Sequence, residues 1–579
     1  MLTASRPWRC RQPPADVVAE LEHELRLSPL TARLLALRGV NGAPQAEAFL
    51  AKRLQDLLKP ERMRDIDKAA QRFAYAINQR EPILIHGDYD VDGSTATALL
   101  TQFVRACGHE ARPWIPHRRI DGYGLSEASL LAVKEHAPKL MITVDCGIAD
   151  HGFARRIEAE TGCSVIITDH HLPQGSLPEC TAVCNPNHPA CTYPEKGLAG
   201  VGVAWKLAWA TGKVLCGSDK LSDRLRAFLL DALALVAVGT VADCAPLTGE
   251  NRILVSHGLS ALSKTTNHGL RALLDQARLE GEVTATDIGW RVGPLLNASG
   301  RIGTAMANLQ LLTAATRAEA DAALAGIVVE NEERKRLTHI LTADLIATVD
   351  ADPSLRQRAS LVFAGEGWHQ GVVGIVAARL VEQYGKPAAV IALADGVGKG
   401  SLRSVPTVHL GEAIEACRPL LLKGGGHAMA AGLSIQAARV EEFRAAFERH
   451  VSARAQPGSL VPRTDYDGDA AIAELDGEFF LQLETMAPFG MANPAPVLQL
   501  RQASFIAKPK VFGRDGDHMR AALTDPGGGM RDFLAWRAKE HYAAFSSPGV
   551  RFDLLVRPEA SRWRGAAQTR LIFVDGKSC

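Results

Sequence analysis

The chain reads as an α/β protein: a parallel-sheet domain, a second α/β domain joined to it by a long helix, then a β-barrel domain. Three observations predict this. Between residues 61 and 330, short apolar runs alternate with helix-like stretches, the pattern of a parallel sheet covered on both faces. A charged stretch opening at Asn331-Glu-Glu-Arg-Lys-Arg336 separates this alternation from a second one and suits a solvent-exposed connector helix. Residues 464–579 are richer in short strands. A length of 579 residues also exceeds what one core can organise.

The expected divisions are a helical lead-in over 1–60, a first domain over 61–330, a connector helix over 331–354, a second domain over 355–455, and a third over 464–579. In the first domain, Pro82 to Ile85 is a buried-strand candidate and Ser94 to Cys107 a helix ending before Gly108. Leu140 to Val144 and Ser164 to Ile167 are the next strands. Arg224 to Val238 reads either as a helix or as a helix–strand pair. In the second domain, Leu361 to Ala364 and Ala388 to Ala392 flank a helix near Val372 to Gln383, and two glycine-rich turns follow.

Bulk composition excludes several classes. Hydrophobic residues at 47% and charged residues at 22% fit an ordinary soluble globular protein. A formal net charge of +1 means that any polyanion-binding surface must be a local concentration of Lys and Arg. The basic N-terminal residues precede no apolar stretch, which argues against a signal peptide, and no uninterrupted apolar run predicts a membrane span. The 11 cysteines, odd in number and scattered, fit reduced thiols in a cytoplasm. Cys180, Cys184, His188 and Cys191 lie close together, but their spacing is not a paired CxxC and the segment is rich in Pro and Asn. An irregular loop with free thiols accounts for them better than a zinc site does.

Polar clusters follow the apolar runs. His86, Asp88, Asp90 and Asp92 follow the first; Asp145 follows the next; then come Asp169, His170 and His171, and finally Asp243. In open α/β sheets, sites gather beyond the carboxyl ends of strands, so these clusters are expected to converge. Carboxylates packed this closely repel one another, and a pair of divalent cations would resolve that cost. Oxygen and imidazole donors without thiolates suit Mn²⁺ or Mg²⁺. Taken singly, each residue has a plainer account, since an Asp after a strand often caps the next helix. A near-copy of the first cluster, Thr464-Asp-Tyr-Asp-Gly-Asp469, lacks a preceding apolar strand and reads as a polar start to the third domain. In that domain Lys508, Lys510, Arg514, Arg520, Arg537, Arg562 and Arg564 are interleaved with Phe505, Phe512, Trp536 and Trp563. That mixture fits either backbone contacts plus base stacking or a solvated face over core aromatics.

The strings HGDYDVDGSTA, ITVDCGIAD, ITDHH and GTVADCAPL resemble the four motifs of the DHH phosphoesterase superfamily. GPLLNASGRIG, GEGWHQGVVGIVAARL, KGSLRS, GGGHAMAAGL and APFGMANPAPV resemble the RecJ family of bacterial single-strand-specific 5′→3′ exonucleases. The resemblance implies a DHH domain, a DHHA1 domain and an OB-fold barrel. It places a two-metal centre on Asp90, Asp92, Asp145, His170 and Asp243, with Asp145 bridging, His86 in the place of a further ligand, and Asp88 ligating or orienting. It further implies that His171 and His427 contact the scissile phosphate and that Asp169 supports the histidines. Gly424, Gly425 and Gly426 would let backbone N–H groups approach the substrate. Ser401 and Arg403, with Arg118 or its neighbour Arg119, would form a pocket for a 5′-terminal phosphate, and Arg301 would hold a phosphate nearby. The implied activity is release of nucleoside 5′-monophosphates from single-stranded DNA by a cytoplasmic monomer in recombination and repair. Single-strand-binding protein and a helicase are the implied partners. The competing activity within the superfamily is cleavage of short oligonucleotides or cyclic dinucleotides.

Overall fold

The computed structural model describes residues 2–118, 120–150, 152–173, 175–455, 458, 460–563 and 566–579, with the side chains of 561–567 left aside. The chain forms two compact units. One comprises residues 1–300, 304–327 and 465–579; the other comprises 301–303 and 328–464.

The first unit holds a five-stranded, all-parallel sheet in the order Ala111–Trp114, Ile83–Gly87, Leu140–Val144, Ser164–Thr168, Ala182–Cys184. The central strands Ile83–Gly87 and Leu140–Val144 are buried along their whole length, which is why they read as continuous apolar runs. One face packs on Leu130, Val133, Ala154 and Ile157 of the helices Glu127–His136 and Phe153–Thr161. The helices Val91–Ala106 and Gly200–Cys216 lie against the same sheet.

Residues 224–238 differ from the helix–strand alternative. They fall in two helices, Asp223–Asp231 and Leu233–Ala242. The second is apolar almost throughout because it is buried on nearly every side, so its pattern carries no helical stripe to distinguish it from a strand. Asp223–Ala242 is long and apolar enough to cross a membrane by composition, yet 61% of its most apolar window is buried in the chain's own core.

A closed barrel of five strands completes this unit. Leu498–Phe505, Phe552–Trp563, Ala566–Ser578, Met530–Ala535 and His518–Thr524 pair in that order, and His518–Thr524 pairs back to Leu498–Phe505. The N-terminal helices Ala15–Leu25 and Pro29–Ala36 share the barrel's core: Leu21, Leu34 and Leu35 cluster with Phe479, Leu498 and Leu500. The lead-in is therefore a layer on the barrel.

The second unit carries a mixed sheet ordered Leu421–Gly426, Ala430–Gln436, Val397–Arg403, Ala388–Ala394, Leu361–Glu366, in which the last two are parallel. The connector helix spans Arg317–Ala351, starting before the expected 331; an i,i+4 pair of Arg317 with Asp321 supports its first turns, upstream of the i,i+3 pairs of Glu332 with Lys335 and Glu333 with Arg336.

Candidate metal centre

Three strand ends and one helix end supply the site. The strand Ile83–Gly87 runs into Asp88, whose backbone lies so close to Gly93 that a Cβ there would stand 2.6 Å from Asp88 N. Asp90 is the N-cap of Val91–Ala106 and accepts the Gly93 N–H at 2.9 Å, so the capping account holds for this residue alongside any other role. Asp92 is fully buried and accepts two N–H groups, from Gly200 and Val201, each at 2.8 Å, at the start of the helix Gly200–Cys216. A carboxylate at a helix N-terminus gains from the exposed N–H groups and from the dipole.

Asp145 follows Leu140–Val144 with φ at 61°, a left-handed conformation unusual for a residue with a side chain. Strain of this kind persists where the surroundings hold it. Asp243 caps the end of Leu233–Ala242, and the next residue, Cys244, takes the left-handed position at φ 59°. The Cys244 N–H donates to Val241 O and the Ala245 N–H to Thr240 O, both at 3.2 Å, a Schellman turn with cysteine where glycine is usual.

These side chains meet in three interlocking groups: Asp88, Asp90 and Asp145; Asp92, His170 and Asp243; Asp145, His170 and His171. Within each group the ligand atoms lie within 4.8 Å of one another. His170 Nε2 is 3.1 Å from Asp145 Oδ1 and 3.9 Å from both Asp92 Oδ2 and Asp243 Oδ2. Asp88 Oδ1, Asp145 Oδ1 and His170 Nε2 are buried with no hydrogen-bond partner among the described residues. Orphaned acceptors of this kind, all oxygen or imidazole nitrogen, fit divalent cations such as Mn²⁺ or Mg²⁺.

The electrostatics agree. Burial, and then the charges of Asp92, Asp90, Asp88 and Asp243, hold the Asp145 carboxyl well above the usual range. Burial and neighbouring aspartates push Asp92 up to about 7 and Asp243 to about 8. Burial and the charge of His171 lower His170 to about 4, leaving a neutral donor nitrogen. Burial opposes the charge on His171, but its 2.8 Å hydrogen bond to Asp169 and the charge of that carboxylate outweigh it, raising His171 to about 9. Asp169 lies behind the site. It accepts the backbone N–H groups of Ile148, His170 and His171, which fixes the histidine turn.

His86 stands apart from the three groups. It is fully buried, with Nε2 2.9 Å from Ser129 Oγ and Nδ1 3.7 Å from Cys146 Sγ. Arg118 is exposed, its guanidinium 4.8 Å from the Tyr89 ring centroid. Arg119 lies outside the described residues. Cys180, Cys184, His188 and Cys191 form no ligand group among the described residues.

In the second unit, the Gly424–Gly426 strand end pairs with Ala431–Leu433, and Gly432 pairs onward with Ser401. At Gly426, φ is 155° and a Cβ would collide with the Ala431 backbone, so only glycine fits. His427 follows at an exposed hairpin tip, its N–H bonded to Ala430 O at 2.8 Å. The helix Val373–Tyr384 begins against Ser401 and Arg403: a Cβ on Gly374 would stand 2.9 Å from Ser401 Oγ and 3.3 Å from an Arg403 nitrogen. Arg301 Nη1 donates to Gly371 O at 3.3 Å, in the turn before that helix.

On the barrel, Phe505 belongs to the core, packed on Phe533, Phe545 and Phe552. Phe512 and Trp536 are exposed and form an edge-on cluster with His518, beside exposed Lys508, Lys510, Arg514 and Arg537. Arg520 is paired with Asp532 at 2.9 Å. Arg564 lies outside the described residues, as do the side chains of Arg562 and Trp563.

Sequence reasoning missed Gly200, Gly239 and Tyr123. A Cβ on Gly200 would stand 2.5 Å from Asp145 Oδ1, and one on Gly239 would stand 2.9 Å from Asp92 Oδ1. The available signal was a glycine opening, or lying within, an otherwise apolar helix. Tyr123 places its hydroxyl 3.2 Å from His171 Nδ1, and nothing in its local pattern marks it.

The fold and site define a metal-dependent phosphoesterase of the DHH class. Residues 82–240 match the DHH family N-terminal domain, 357–453 the DHHA1 domain, and 466–575 the RecJ OB domain. The single-stranded-DNA-specific exonuclease RecJ of Bacillus subtilis is 34% identical over 99% of this chain and 71% of its own length. The protein of the same name from Salmonella typhimurium is 34% identical over 98% of each chain. Crystal structures of Thermus thermophilus RecJ match with TM-scores of 0.79 for the Mn²⁺ complex and 0.73 for the Mg²⁺ complex. Their identities are 30% and 28%; both cover 99% of this chain, and 79% and 78% of their own. The chain belongs to the RecJ family.

Proposed function

We propose that this protein degrades single-stranded DNA from its 5′ end, releasing nucleoside 5′-monophosphates by metal-dependent phosphodiester hydrolysis. The observation that carries the reading is the set of interlocking carboxylate and imidazole groups with orphaned acceptor atoms. Asp88, Asp90 and Asp145 would hold one cation, and Asp92, His170 and Asp243 the other, with Asp145 shared. The two cations, Mn²⁺ or Mg²⁺, supply a water of lowered pKa and neutralise charge on the phosphoryl oxygens. His170 offers a neutral nitrogen. His171, kept protonated by Asp169, offers a positive N–H to the scissile phosphate. Asp169 acts through both histidines as their positioning residue. His86 would act from behind the site, through its contact with Cys146 next to Asp145.

In the second unit, the helix N-terminus at Val373 with Ser401, Arg403 and Arg301 has the makings of a phosphate cradle: N–H groups, a hydroxyl and two guanidinium groups. A pocket for a terminal phosphate accounts for 5′→3′ polarity. Arg118 adds a cation beside the metal-binding loop. Gly424–Gly426 brings the backbone close to the strand, and His427 contacts its phosphate. The exposed Phe512–His518–Trp536 cluster with its lysines suits stacking on successive bases. That favours a polymer over short oligonucleotides or cyclic dinucleotides. A duplex must be opened before such a surface can hold it, which makes a helicase and single-strand-binding protein the natural partners of a cytoplasmic repair enzyme.

End-labelled DNA and RNA strands, each with 5′-phosphate or 5′-hydroxyl ends, test the proposal. Mononucleotides should appear first from the 5′ terminus of DNA, fastest with a 5′-phosphate. Release from the 3′ end, or equal rates on dinucleotides and long strands, would overturn it.

A further inference from the structure

Asp243 stands at the C-terminal end of the helix Leu233–Ala242, so its placement depends on what holds the chain just after it. Asn251 ties that stretch down: its amide donates to Pro246 O at 3.0 Å and to Gly197 O at 2.6 Å. Its Oδ1 accepts from Ala199, the residue preceding the helix whose first N–H groups hold Asp92. The frame of both Asp92 and Asp243 thus passes through residues 243–251.

The barrel domain grips this frame at Leu247. Leu247 donates its N–H to Met491 O at 2.8 Å, and Gly490 sits on the buried Leu247 side chain so closely that a Cβ would stand 2.7 Å from Cδ1. Asn493 holds the loop that presents these two residues. It is fully buried, donates to Met486 O at 2.9 Å and to Pro488 O at 2.7 Å, and accepts Arg38 Nε at 2.8 Å. Its backbone closes on Gly490 in both directions, at 2.8 and 3.2 Å. Every polar atom of the Asn493 side chain is thus used to shape a loop whose tip rests beside a metal-site segment, and none faces solvent.

We propose that Gly490 and Asn493 are positioning residues for the metal centre: the barrel domain, through this loop, sets the place of Asp243 as well as binding the strand. The inference rests on the two-metal reading above. Supporting partners of metal ligands cost about 10–100-fold in metal affinity when removed. The test is Mn²⁺ binding to the full chain without DNA, read from the loss of the free-ion electron paramagnetic resonance signal, with thermal melting as the folding control. Gly490→Ala and Asn493→Ala should each weaken one of two Mn²⁺ sites about 10-fold or more. That should be the site lost in Asp243→Asn. Leu247→Ala added to Gly490→Ala should recover most of the affinity, because it removes the collision. Should Asn493→Ala unfold, the Gly490→Ala and Leu247→Ala pair decides alone. Wild-type Mn²⁺ affinity in folded loop variants, beside a lost site in Asp243→Asn, overturns the inference and leaves the metal reading standing. Wild-type binding in Asp243→Asn overturns both.

Discussion

Two stretches of this chain carry nearly the same letters, Asp88-Tyr-Asp-Val-Asp-Gly93 and Asp465-Tyr-Asp-Gly-Asp-Ala470, and fold into opposite electrostatic situations. In the second, every aspartate has an arginine: Asp465 pairs with Arg9 at 2.6 Å, Asp467 with Arg11, and Asp469 with Arg501 at 2.9 Å. In the first, Asp88 and Asp90 face Asp145, while Asp92 faces His170 and Asp243. The contrast teaches that spacing of acidic residues is not what makes a metal site. What matters is whether the fold brings the carboxylates to each other or to fixed cations.

Removing a carboxylate from the uncompensated cluster gives the largest expected effect. Asp145→Ala takes a ligand from two of the three groups, and should lower the rate on 5′-phosphorylated single strands by about 10³-fold or more, the scale of losing a group aimed at developing charge. Full activity with Mn²⁺ in this variant would sink the metal reading.

A medium effect should follow from removing the cations. With Asp92 at about 7 and Asp243 at about 8, the folded metal-free protein keeps protons that unfolded carboxylates release near pH 4. The folded state then binds more protons than the unfolded one, so stability is full below about pH 4 and falls as the pH rises through about 8. The melting temperature of EDTA-treated protein should drop between about pH 6 and about pH 8.5, and the rise on adding Mn²⁺ should be larger at the higher pH, since ligands must be deprotonated. An identical Mn²⁺ effect at both values would break the comparison, for the cluster would then behave like its arginine-neutralised copy.

The difference between the two stretches was only partly legible in sequence. The parallel sheet was legible because buried strands such as Leu140–Val144 are unbroken apolar runs bounded by polar turns. The convergence of Asp88, Asp145 and His170 followed, since neighbouring parallel strands end at one edge. Asp243 was legible as a residue and not as a helix end, because a helix buried all round shows no period. Long-range partners were invisible. Nothing near Asp92 announces Gly200 and Val201, and nothing near Asp465 announces Arg9, 456 residues away in the chain. The docking of Leu21 and Leu34 into the barrel core is non-local in the same way, as is barrel closure between Leu498–Phe505 and His518–Thr524. Local periodicity reports which face is apolar, not what covers it.

The smallest effects belong to the compensated copy, and they sharpen the contrast from the other side. Asp467 is 1% exposed, receives Arg11, and accepts the Val497 N–H at 3.0 Å. Asp467→Asn leaves one oxygen for these two donors and turns an NH₂ toward the other. That should cost about 1–3 kcal/mol of stability, the range for an unsatisfied buried group. Asp465→Asn should leave the melting temperature unchanged within error, because its partner Arg9 is mostly exposed and water replaces the lost pairing. Neither variant should alter Mn²⁺ affinity. The expected ranking is therefore loss of chemistry at Asp145, loss of stability alone at Asp467, and no loss at Asp465. A fall in Mn²⁺ binding in Asp467→Asn comparable to that in Asp145→Ala would mean that the two stretches are not independent, and that the arginine-paired copy takes part in holding the metals.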